Sequence, residues 1–66
     1  MTRTERENWI VNIENTASFI ATESGEEVVA STLNKYGASS IEQIASSDLS
    51  DVFSELYAIE ADLRSG

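Results

Sequence analysis

Neither cysteine nor histidine occurs in the 66 residues, proline is absent, and only four side chains carry positive charge. Without Cys or His the chain lacks the commonest nucleophiles, proton shuttles near neutral pH and transition-metal ligands, which points away from catalysis and from a metal or other cofactor centre. Disulfide staples are ruled out, and the absence of cysteine is compatible with any redox compartment. With no proline, the breaks between elements fall to glycine, of which there are three, and to Ser/Asp clusters. Four charged groups precede Trp9. No apolar run reaches the ~7–15 residues of a signal-peptide core or the ~20 of a membrane span, so the expectation is an intracellular, cytoplasmic protein without membrane contact.

Acid is what the chain has in excess. Twelve carboxylates against four cations give a formal charge of -8, a field that repels nucleic acid and anionic membrane and attracts basic protein surfaces. The length allows one domain over residues 1–66, and below ~70–80 residues one core seldom supplies more than ~3–5 kcal/mol. A hydrophobic fraction of 41% exceeds what a disordered acidic tail carries, so folding is expected.

The periodicity predicts an all-α protein, a compact bundle of three main helices plus one short helix. Trp9, Ile10, Ile13, Ala17 and Ile20 recur at helical spacing, giving a helix of roughly Thr4 to Thr22 capped by Thr2 or Thr4. Val28, Val29, Thr32, Leu33 and Tyr36 repeat the pattern after Gly25; Glu26 and Glu27 open this helix and Lys35 and Gly37 close it, the order favoured by the helix dipole and a left-handed cap. A short third helix should begin at a serine cap, Ser39 or Ser40, and dock Ile41 and Ile44. The fourth segment, from Ser47-Asp48, carries the longest apolar stripe: Leu49, Val52, Phe53, Leu56, Ile59 and Leu63. The β-branched pairs Ile10-Val11 and Val28-Val29 lie inside period-3.6 patterns, so no strand is expected.

Two surfaces emerge as candidate binding sites. At 100° per residue, Asp48, Asp51, Glu55 and Asp62 fall within about 60° of one another, an acidic ridge away from the Leu49/Phe53/Leu56 stripe. Such a ridge is either a solvated helix face or a partner site for a Lys/Arg groove, imitating phosphates ~7 Å apart along one nucleic-acid strand. Val11, Asn15 and Phe19, with Asn8 and Asn12, form a neutral face on the first helix. That face suits a foreign partner or a homodimer, unless Phe19 fills a second contact with helix two. Glu60 falls inside the apolar stripe, where Arg64 four residues on can pair with it. Asp48-Leu49-Ser50-Asp51 lacks the alternating oxygens and glycine of a calcium loop. A helix-turn-helix reading fails because the helix that would enter the groove carries Asp48, Asp51 and Glu55, which repel phosphate.

Lys35-Tyr36-Gly37-Ala38-Ser39-Ser40-Ile41-Glu42 and the stretch from Val52 to Leu63 resemble small acidic proteins of phages and conjugative elements of gut Firmicutes, most of them of unassigned function. The resemblance covers about the C-terminal half and rests on cap and core residues. It implies a mobile-element protein and, among the inhibitors such elements carry, an anti-CRISPR-like protein acting as a DNA mimic. The expected function is thus a non-enzymatic, acidic module that inhibits by occupying a basic nucleic-acid-binding surface without binding nucleic acid itself. The competing expectation is a structural or regulatory protein that self-associates through the neutral face.

Overall fold

In the computed structural model, which describes residues 1–66, helix α1 runs from Arg3 to Ser24. Its start is a capping box: Thr2 Oγ1 accepts the Glu5 N–H at 3.1 Å and Glu5 Oε1 accepts the Thr2 N–H at 3.1 Å, so two amides that the helix leaves orphaned are satisfied. At 1.5 Å per residue α1 spans about 33 Å. That is nearly the 36 Å long axis of the molecule, and the other elements pack along this spine.

Gly25 alone separates α1 from α2, Glu26–Lys35. It closes the first helix through its N–H to Ala21 O and opens the second, at φ 96° and ψ 160°. A side chain is poorly tolerated in that region. The end of α2 is a Schellman motif around Gly37 (φ 73°): the Ala38 N–H reaches Leu33 O and the Gly37 N–H reaches Asn34 O, while Ala38 is buried in the core with Leu33.

Helix α3, Leu49–Ser65, lies chiefly along α1. The short helix expected after Ser39 or Ser40 is the single 3₁₀ turn Ile41–Gln43, and a second such turn, Ser46–Asp48, leads into α3. The serine caps expected there do not form. The Gln43 side chain instead reaches back and accepts from both the N–H and the hydroxyl of Ser39, at 2.9 and 2.8 Å. Asp48 does not cap α3 because the preceding 3₁₀ turn leaves it in the helical region, φ -103° and ψ -7°; a capping side chain needs extended backbone at that position. Arg6 secures this connection by donating to Glu42 O at 2.9 Å and Ser46 Oγ at 3.0 Å.

The core joins Ile13, Ala17 and Ile20 of α1, Leu33 of α2, Ala38 and Ile44 of the connection, and Leu49, Val52 and Leu56 of α3. Ile41 packs half-buried at its edge. Only eleven residues are buried, in keeping with the small stability expected of this length. The Cα radius of gyration is 11.3 Å, close to the ~11 Å of a compact chain of this size.

Candidate protein-binding surface

Every cation in the chain is engaged within it. Arg3 pairs with Glu7 at 3.2 Å, Lys35 with Glu55 and Arg64 with Glu60 at 3.0 Å, while Arg6 holds the connection. Twelve carboxylates less the three in these ion pairs leave nine with no cationic partner. Apart from Arg6, the side-chain charge left uncompensated on the surface is therefore all acidic. Asp48, Asp51 and Asp62 stand on α3, Glu14 and Glu23 on α1, and Glu26 and Glu27 at the start of α2, with Glu5 and Glu42 elsewhere.

Asp51 and Asp62 are exposed and Asp48 half-buried. Glu55 is different, since its carboxylate accepts from both Lys35 Nζ and the Tyr36 hydroxyl and so ties α3 to the end of α2. Those two bonds hold the Glu55 carboxyl below the usual carboxylate range. The same carboxylate pushes Tyr36 up to about 12, with partial burial and then the charges of Glu55, Asp51 and Asp48 adding to the effect. Asp48, Asp51 and Glu55 thus gather around one phenol. Asp62 lies ~16 Å beyond Asp51 along the helix.

Because the raised pKa favours the neutral phenol, its contribution to stability is complete below pH 10 and lost as pH rises through about 12. Glu55 works in the opposite sense, contributing above its ordinary value of 4.5 and losing that contribution as pH falls through the lowered one. Spectrophotometric titration should accordingly show Tyr36 ionising near pH 12, and Glu55→Gln should bring it back toward 10. An unshifted Tyr36 in the unsubstituted protein would contradict the Glu55 contact.

The neutral face is only partly free. Val11 is 53% exposed and Asn8, Asn12 and Asn15 point to solvent. Phe19, expected either on a free partner face or in a contact with α2, is half-buried with the Arg64 guanidinium of α3 4.1 Å above its ring. Arg64 is held in turn by Glu60, the pair foreseen from their spacing, and the Glu60 side chain is only 15% exposed. The Glu60 carboxyl lies below the usual range, first through the Thr16 hydroxyl and then through Arg64. Thr16 Oγ1 is buried without a hydrogen bond of ordinary geometry, so its effect on Glu60 is that of a nearby dipole.

Sequence periodicity missed an aromatic run. Trp9 and Phe53 meet edge to face with ring centroids 5.7 Å apart, and Phe53 stacks on Tyr57 at 5.6 Å, leaving Tyr57 54% exposed. The i, i+4 spacing of Phe53 and Tyr57 was the available signal. Glu5, Asn8 and Asn12 surround Trp9 in a depression of about 210 Å³. No three carboxylates converge closely enough to hold a metal ion, and no helix is long and apolar enough to cross a membrane.

Nine unpaired carboxylates set against three close ion pairs predict that repulsion dominates the surface energy. Screening weakens both, and the more numerous repulsions lose more. The thermal midpoint should rise from low to moderate salt; a fall would show that the ion pairs prevail. Compared with protein families, characterised proteins and solved structures, the chain matches none.

Proposed function

We propose that the protein acts without catalysis, in the cytoplasm, by binding a basic protein surface, and that it serves as an inhibitor, carried on a mobile element, of a nucleic-acid-handling complex. The observation that supports this most is the internal use of all four cations, which leaves nine carboxylates facing outward with nothing to neutralise them. A Lys/Arg groove built for phosphates meets the same sign of charge here, on a body that nucleic acid itself avoids. Asp48, Asp51 and Asp62 form the working ridge, whereas Glu55 chiefly braces it. Tyr57 supplies a rigid, half-exposed aromatic on the other flank of α3, a residue type that anchors interfaces. Neutralising the three aspartates tests this reading. None of their side chains makes a hydrogen bond or ion pair within the chain, so the fold should survive while binding falls. Self-association through Val11, Asn15 and Phe19 has less support, because Arg64 covers the aromatic that such a face would use.

A further inference from the structure

On the flank of α1 away from α3, a shallow groove of about 360 Å³ opens between α1 and α2. Its walls are apolar and short, among them Ala17 and Ala21 of α1 and Val29, Ala30 and Leu33 of α2. Two of the unpaired carboxylates stand on its rim. Glu26 opens α2 directly after Gly25, and Glu14 stands on α1 eleven positions before Gly25, ~16 Å from it by the helical rise.

We propose that this groove receives a basic amphipathic helix of the protein partner, an occupant that rests on the acidic-surface function proposed above and names its chemistry. Helices line the groove on both sides, so no unpaired backbone is available to an extended peptide. The visitor must satisfy its own N–H and C=O groups, as a helix does. Alanines on the walls let it approach closely and seat apolar side chains at i, i+4 and i+7. Lysines or arginines about eleven residues apart on that helix would meet Glu14 and Glu26. Charge excludes the other occupants: a second copy brings more carboxylates to the same rim, and anionic lipid or nucleic acid is repelled by a net -8.

The probe is a synthetic amphipathic peptide with leucines at i, i+4 and i+7 flanked by lysines, titrated into the labelled protein and followed by amide NMR shifts. Shift changes should concentrate on Ala17, Ala21, Val29 and Ala30. A control peptide with serine for leucine should bind at least tenfold more weakly. Ala30→Lys fills the groove and pairs with Glu26 at i, i+4 while nearly keeping helix propensity, and should also cost at least tenfold; Ala30→Gln provides an uncharged second variant. Circular dichroism verifies that both fold. Equal binding by leucine and serine peptides, indifferent to Ala30, would overturn the groove while leaving acidic recognition standing. Equal binding of a leucine peptide with glutamine for lysine, insensitive to salt, would overturn the basic occupant, while the proposed function stands or falls with the Asp48, Asp51 and Asp62 substitutions. No binding by any peptide, or a dimer that Ala30→Lys dissolves, would also remove the partner helix from the groove.

Discussion

Gly25→Ala should lower the thermal midpoint by roughly 5–20 °C without changing the fold class. The single residue between α1 and α2 sits at φ 96° and ψ 160°, a region essentially reserved for glycine, where an L side chain costs about 1–3 kcal/mol. A methyl group there would also lie 2.9 Å from Glu27 Oε2, forcing that side chain to swing away. Reduced freedom of the unfolded chain returns only ~0.4–1 kcal/mol, and only where the native conformation suits alanine, which this one does not. Against a total of ~3–5 kcal/mol the loss is large. Gly37→Ala serves as the comparison: its φ of 73° is also left-handed, but nothing lies within 4 Å of the added carbon. Calorimetry should therefore rank Gly25→Ala below Gly37→Ala. A Gly25→Ala midpoint equal to that of the unsubstituted protein would mean that the α1–α2 turn is formed differently.

The helices were legible because each announces itself locally. The expected first helix, Thr4 to Thr22, is Arg3–Ser24, and Thr2 caps it; Glu26, Glu27 and Gly37 bound the second as their chemistry requires. The Leu49–Leu63 stripe gave α3, and the spacing of Glu60 and Arg64 gave their pair. Contacts between distant residues were not legible. Arg6 reaches residues 36 and 40 positions away, and Glu55 meets Lys35 and Tyr36 across two helices. Helical periodicity orders residues around one axis and says nothing of what stands opposite. The ridge read as four equivalent acids for that reason, whereas in three dimensions one of them braces the fold. Phe19 shows the same limit: its place off the main stripe was clear, but the guanidinium that covers it comes from the other end of the chain. The 3₁₀ turns misled the capping rules, since serines before an apolar residue fit either kind of turn.

Neutralising the ridge should have the largest effect on binding. Asp48→Asn, Asp51→Asn and Asp62→Asn together leave Glu55 in place, because removing it would free Lys35 and the Tyr36 hydroxyl and confuse a binding effect with a structural one. The triple variant changes the formal charge from -8 to about -5 and alters side-chain size little. Affinity for a basic partner should fall about tenfold or more, mainly through a slower on-rate, since long-range charge steers encounter. The unsubstituted protein should itself lose affinity steeply as salt rises to ~0.5 M, where the screening length is only a few Å.

Affinity capture from a cell lysate, quantified by mass spectrometry with the unsubstituted protein and the triple variant side by side and with duplex DNA as competitor, tests the central claim most directly. A basic nucleic-acid-handling protein should be retained by the unsubstituted chain, lost from the variant, released near 0.5 M salt and displaced by the duplex. Retention that is equal for both chains and indifferent to salt and to DNA would contradict it.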